Sequence, residues 1–168
     1  MYSLYDIPGK ISTLKRNEFL VEKGKIDTNL YFVESGSLRI FIEDDFKEQN
    51  IRFGYQQNLV VTLDSFLTSK PTNYYIQAIK KTTVKIVSKN DLNVFLEIDG
   101  NQSIWKNILE NLVCQLLVRE IDILITSPIE RYRRVLKRSP TLFQEIPHKH
   151  IANYLRMSAE TLSRLKKS

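Results

Sequence analysis

Pro147-His-Lys-His-Ile-Ala-Asn-Tyr-Leu-Arg-Met-Ser-Ala-Glu-Thr-Leu-Ser-Arg-Leu-Lys-Lys167 is the stretch from which the architecture of this chain is read. Pro147 opens one helix to about Leu155, and Ser158 caps a second, Ala159 to Lys167. Ile151, Ala152 and Leu155 share one face of the first helix, and Leu162 and Leu165 share one face of the second. Met157 sits between them, where an apolar side chain can plug the corner of two crossing helices. Ala152 is small where the helices approach most closely, and the connection is too short for anything but a sharp turn. This pattern predicts a helix-turn-helix. Ala159, Glu160, Ser163, Arg164 and Lys167 then point outward together from the second helix. In such a unit the second helix enters the major groove of a duplex. Arg164 can bond bidentately to guanine O6 and N7, and Glu160 can accept from cytosine N4. Ala159 and Ser163 complete the set expected at base edges. Ser158, Thr161, Lys149, His150, Lys166 and Lys167 are expected at phosphates, where they set position and not sequence.

Working upstream, Ser127-Pro128-Ile129-Glu130 is a compact helix start, with Ser as cap and Pro at the first helical position. That helix is expected from Ile129 to about Arg138. Ser139-Pro140 opens a short turn of helix to Gln144. A longer helix follows Gly100. Its apolar residues recur at three and four positions but cover more than one face, whereas a single core-facing stripe needs about three residues in seven. The surplus implies two apolar partners, the front of the chain and a second copy of the helix. Trp105, Ile108, Leu109, Leu112, Leu116 and Ile123 are the expected dimer seam.

Before Val87 the pattern is that of strands. Glu18–Glu22, Asn29–Val33, Ser37–Ile42, Asn58–Thr62, Tyr74–Ile79 and Thr83–Val87 are rich in β-branched and aromatic residues. Gly24, Ser35-Gly36-Ser37, Asp44-Asp45, Gly54 and Pro71 punctuate them at spacings suited to a sandwich or barrel. Glu34-Ser-Gly-Ser37 reads as a tight hairpin, and Ser88 with Asp91 opens a short helix to about Glu97. The fold class is therefore α+β, with an N-terminal jelly-roll or double-stranded β-helix barrel over 1–99. A dimerisation helix over 100–126 and an all-α helix-turn-helix unit over 127–168 follow.

The totals fit. Of 168 residues, 42% are hydrophobic and 26% charged, the balance of an ordinary globular chain. Net charge is +6, and its location matters more than its size. Residues 101–168 hold 12 Lys and Arg against 6 acids, while 1–100 hold 13 of each. The excess sits on the part expected to meet a polyanion. Cys114 is the only cysteine, so no internal disulfide forms and a reducing cytoplasm is expected. Met1 to Lys10 lacks the pattern of a secretory signal, and no apolar run is long enough for a membrane span. No β wing is expected after the last helix.

An enzyme is not expected. The histidines, His148 and His150, stand two apart and do not share a helical face. No histidine precedes them, so a barrel metal site is not expected either. The sequence also lacks a phosphate-cradling Gly-rich loop or a Gly-x-Ser-x-Gly elbow. The alternative outside DNA binding is a barrel that binds a small molecule or cyclic nucleotide, its basic C-terminal part contacting a protein or membrane.

Ile151-Ala-x-Tyr-Leu-x-Met-Ser-x-Glu-Thr-Leu-Ser-Arg164 resembles the DNA-binding motif of the Crp/Fnr family of bacterial regulators. Glu130-Arg-Tyr, Leu136 and Pro140-x-Leu142 are similar to the start of that family's C-terminal domain. Phe19-x-x-x-x-Gly24, Leu30-Tyr-Phe-Val-x-x-Gly36-x-Leu-Arg-Ile40 and Asp64-Ser-Phe66 resemble its cyclic-nucleotide-binding β-barrel. The resemblance implies a sensor barrel, a two-fold dimer and control of transcription on double-stranded DNA, with RNA polymerase as a further partner. It also places a candidate effector pocket at Leu63, Asp64, Ser65, Phe66, Thr72, Asn73 and Tyr74. The family's nucleotide binders carry a Gly-Glu pair and, about ten residues on, an Arg that forks onto the cyclic phosphate. Here Leu63 or Asp64 stands near the Glu position and Thr72 or Asn73 near the Arg position. Lys70 would substitute only as a point charge on a flexible stem. Tight binding of cyclic AMP or cyclic GMP is not expected, nor is any cofactor. Tyr55, Phe66, Tyr74 and Tyr75 can line a pocket or simply fill the barrel.

Overall fold

The structure is a computed structural model and describes residues 3–167. Met1, Tyr2 and Ser168, the outermost positions of the expected domains, lie outside the described residues. Two four-stranded antiparallel sheets form the front of the chain. One has the order β1 (Lys10–Leu14), β8 (Thr82–Ser88), β3 (Asn29–Ser35), β6 (Leu59–Val60). The other runs β2 (Phe19–Val21), β7 (Tyr75–Ala78), β4 (Ser37–Asp44), β5 (Lys47–Tyr55). A short helix, α1 (Leu63–Thr68), bridges β6 and β7. Then come α2 (Lys89–Leu96), α3 (Asn101–Leu124), α4 (Pro128–Arg138), α5 (Leu142–Glu145), α6 (His148–Tyr154) and α7 (Ala159–Leu165).

The sequence of β3 explains the layering. Its side chains alternate: Tyr31 and Val33 enter the core between the sheets, and Leu30 and Phe32 enter a second core beneath the helices. All four are buried, so this strand is covered on both faces and reads as an unbroken apolar run. Phe66, Leu92, Phe95 and Leu112 close the second core, bringing α1, α2 and α3 onto the first sheet.

Three expectations need correction here. Ser35-Gly36-Ser37 is not a hairpin, because β3 and β4 do not pair with each other. The turn is a corner that carries the chain from one sheet to the other, alongside the β7-to-β8 crossing. The Thr82 hydroxyl ties the two corners, accepting from the Ser37 N–H and lying against the Ser37 carbonyl. Gly36 is required there: its φ is +90, and a Cβ would lie 2.4 Å from the Lys81 carbonyl oxygen. Gly54 is not a break but lies inside β5, where a Cβ would stand 2.3 Å from Val60 Cγ2. Finally, β1 and β5 went unread. Lys47-Glu-Gln-Asn50 is polar, yet it forms the first half of β5, paired with β4 through a turn at Asp45 and Phe46, both at positive φ.

The long helix also divides differently. Leu112 is buried in the second core, and Ile104, Trp105, Ile108 and Leu109 pack against that core; the Trp105 ring lies 5.6 Å from that of Phe66. Four of the six expected seam residues thus face the chain's own barrel. Leu116 and Ile123 are exposed, as are Val113, Leu117, Ile121 and Leu124. The reason is geometric: residues 105, 108, 109 and 112 follow one stripe of the 3.6-residue repeat, 113, 117 and 124 follow another about 100° further round, and Leu116 and Ile123 continue the first stripe past the residues packed on the barrel core.

Candidate nucleic-acid interface

The last four helices build their own core. Val135, Leu142, Ile146, Ile151, Ala152, Leu155 and Leu162 are buried together, with Met157 packed against them. Two of the four helix starts, those of α4 and α7, carry a side-chain cap. The Ser127 hydroxyl accepts from the Glu130 N–H, with Pro128 at the first helical position. The Ser158 hydroxyl accepts from the Thr161 N–H and so caps α7. Between α6 and α7, Arg156 adopts a left-handed conformation with φ of 56, and the Met157 N–H returns to the Ala152 carbonyl.

Arg131 holds this turn against the end of the long helix. Its guanidinium is buried and donates to the carbonyls of Leu155 and Arg156 in the turn, and to those of Ile125 and Thr126 in the linker. Asp122, fully buried near the end of α3, pairs with Arg134 at 3.1 Å and Arg138 at 2.6 Å on α4. Linker, long helix and turn are therefore one cross-braced unit.

The outer face of α7 carries the expected base-contacting set. Ala159, Glu160, Ser163, Arg164 and Lys167 are exposed and line one open groove, which His148 joins from α6. The Glu160 carboxyl is held below its ordinary pKa, first by its own backbone N–H and then by Ser158, so it stays ionised. Among the expected phosphate contacts, Lys149, Ser158, Lys166 and Lys167 are exposed and Thr161 is half-buried. His150 is placed differently. It is half-buried against β5, its carbonyl accepts from Asn50 Nδ2, and burial with the nearby Arg39 lowers its pKa to about 4. It is neutral at pH 7 and is not presented beside Lys149 as a second cation.

The helix-turn-helix unit does not hang free of the barrel. Asn153 on α6 accepts from the Asn50 N–H at 2.7 Å and donates to the Glu48 carbonyl at 2.8 Å. Its side-chain amide thus serves β5, the last strand of its sheet, as a neighbouring strand would. Phe53 and Ile79 of the barrel join the helical core, and the Phe53 ring stands 5.5 Å from that of Tyr154. Arg119 of α3 caps the joint. It lies 3.7 Å over the Tyr154 ring and donates to the Tyr154 carbonyl at 2.6 Å. Asn153 was not singled out in the sequence, and Arg131 and His148 were named there only within Glu130-Arg-Tyr and as one of two histidines, since nothing local discloses the contacts they make.

The candidate effector residues are largely engaged with one another. The Asp64 carboxylate accepts from the Thr72 hydroxyl at 2.9 Å, the Asn73 N–H at 3.0 Å and the Ser65 N–H at 2.8 Å. The Ser65 hydroxyl accepts from the N–H of buried Asp27, whose carboxylate takes the hydroxyls of Thr62 and Tyr31. Phe66 is core, Leu63 packs against that core, and Tyr74 packs partly against the core between the sheets. Tyr75 stacks on Phe41, and Tyr55 joins the helical core, so neither is available to a pocket in the barrel.

Over residues 11–99, more than half of the chain, the sequence matches the model of the cyclic nucleotide-binding domain. The chain belongs to the cyclic nucleotide-binding domain family. Beyond that domain, its whole architecture is that of solved Crp/Fnr-type proteins. FixK2 from Bradyrhizobium japonicum superposes with a TM-score of 0.77 at 17% identity, over 95% of this chain and 83% of that one. A CooA mutant from Carboxydothermus hydrogenoformans gives 0.73 at 16% identity, over 95% and 75%. The catabolite activator protein of Thermus thermophilus gives 0.59 at 18% identity, over 95% and 77%. Among curated proteins none matches the sequence. Within this cyclic nucleotide-binding domain, neither Thr72 nor Asn73 can supply a guanidinium, and the donors of their loop are turned onto Asp64. No described helix is long and apolar enough to cross a membrane.

Proposed function

We propose that this protein is a homodimeric, sequence-specific DNA-binding regulator of transcription, acting in the cytoplasm and, through the bound promoter, on RNA polymerase. The observation that carries the reading is the exposed face of α7. Glu160 and Arg164 stand one turn apart on a capped helix whose apolar face is locked into its own core. Such a helix is rigid before it meets a ligand, so little ordering entropy opposes binding. Arg164 is the guanine reader and Glu160 the cytosine reader, with Ala159 and Ser163 at neighbouring base edges. Lys149, Ser158, Thr161, Lys166 and Lys167 meet phosphates.

Dimerisation supplies the second recognition helix. The exposed stripe of Val113, Leu117 and Leu124, flanked by Leu116, Ile121 and Ile123, is the seam that supports it. Two copies paired along α3 would set two half-sites about one duplex turn apart, roughly 34 Å. Selection from a random duplex pool by gel shift tests the reading. An enriched inverted repeat is expected, and no enrichment would overturn it.

The barrel does not hold cyclic AMP or cyclic GMP tightly in this reading. Their phosphate would meet the Asp64 and Asp27 carboxylates without the arginine fork that neutralises it elsewhere in the family. Calorimetry with cyclic AMP is expected to give no saturable heat, and micromolar affinity would contradict this.

A further inference from the structure

The chain has 2 histidines, and the fold treats them in opposite ways. His150 is half-buried against β5, where burial first, then Arg39 and Lys149, keep it neutral in spite of Glu48. His148 is the first residue of α6, and residues two apart on a helix point about 200° apart. Its side chain lines the open groove along α7 together with Ala159, Glu160, Ser163, Arg164 and Lys167. Among the described residues nothing holds the imidazole by a hydrogen bond or an ion pair, so both ring nitrogens are left for what enters the groove.

The charges that share the groove are few. Arg164 and Lys167 are cations, and Glu160 is an ionised carboxylate. Lys149 stands exposed beside His148 on α6. Among the described residues, α4 and α5 send no charged side chain into the groove: Arg134 and Arg138 are drawn to Asp122, and Glu145 to Lys80 at 3.3 Å. A duplex laid along α7 brings about one phosphate charge per 1.7 Å of its axis to this surface. An imidazole is the side chain whose charge changes near neutral pH, and an anion set against it draws a proton onto it. We infer that His148 is a further duplex-contacting residue, meeting a phosphate as the imidazolium, so that each half-site takes up one proton on binding and DNA is held more tightly as pH falls. The inference rests on the reading of α7 as a recognition helix and adds a form of regulation to that same site. With His150 kept neutral, His148 is the one histidine through which the interface can take up that proton.

The affinity of the full chain for the selected duplex, followed by fluorescence anisotropy between pH 6 and pH 8, tests this. The natural chain is expected to lose roughly tenfold per half-site as pH rises, the worth of one charge-assisted contact. The slope of log affinity against log salt should shrink by about 0.9 per half-site over the same range. His148→Gln should match the natural chain at pH 8 and fail to gain affinity at pH 6. His148→Arg keeps its charge throughout and should hold the tighter affinity at both ends. His150→Gln should retain the natural dependence. The inference is overturned by an affinity that does not change with pH, by a dependence that survives His148→Gln, or by one that vanishes in His150→Gln. A selected duplex bound equally at both ends of the range overturns this inference alone, whereas a chain that selects no duplex at any pH overturns the regulator reading with it.

Discussion

His150 illustrates how a single residue changes role once its surroundings are known. Next to Lys149 at a helix start, it reads as a phosphate contact. In the fold it is packed against β5, and burial, then Arg39 and Lys149, hold its pKa at about 4 against an ordinary 6.5. The unfolded chain therefore binds a proton at a higher pH than the folded one. Below pH 6.5 the unfolded state gains protons that the folded state refuses, so stability falls as pH drops from 6.5 toward 4. Tm is expected to decline between pH 7 and 5.5, and His150→Gln should flatten that decline. An unchanged slope in the variant would show that His150 is free to charge in the folded state. Arg131 makes the complementary point. One buried guanidinium serves four carbonyls from the linker and the turn, a role that no periodicity or motif in Glu130-Arg-Tyr could disclose.

Among the elements, α3 was half legible. Its apolar repeat marked a face that the barrel covers, because an amphipathic pattern records burial, and a second apolar face that is exposed in this chain. It could not say where along the helix the barrel contact ends, because Leu112 and Leu116, one turn apart on the same stripe, are chemically alike. The structure separates them by exposure, 6% for Leu112 and 42% for Leu116. Two substitutions on this helix should therefore behave differently. Leu117→Glu, on the exposed stripe, is expected to leave a folded monomer by light scattering, with circular dichroism unchanged. Leu112→Glu puts a charge into a closed core and should cost about 3–5 kcal/mol, abolishing folding and not merely pairing. A dimer surviving Leu117→Glu would move the seam elsewhere. Strands show a similar division. The apolar ones, β3, β4 and β8, were readable, whereas β5 begins with Lys47-Glu-Gln-Asn50 and owes its place to pairing with β4 and to the Asn153 amide.

At the scale of the whole molecule, the order of barrel, long helix and C-terminal helices was legible because each has its own hydrophobic period and its own turn chemistry. The joint between them was not. Asn50, Asn153, Phe53 and Tyr154 lie about a hundred residues apart in pairs, and only the fold brings them together. Through that joint the position of α7 depends on the barrel. The central claim, however, lives on the outward face of α7. Its most direct test is the affinity of Arg164→Ala for the selected duplex and for versions altered one base pair at a time. The loss on the selected duplex should be about 1–3 kcal/mol, with preference relaxed at one base pair in each half-site. Undiminished affinity, or an equal loss on every sequence, would contradict the account.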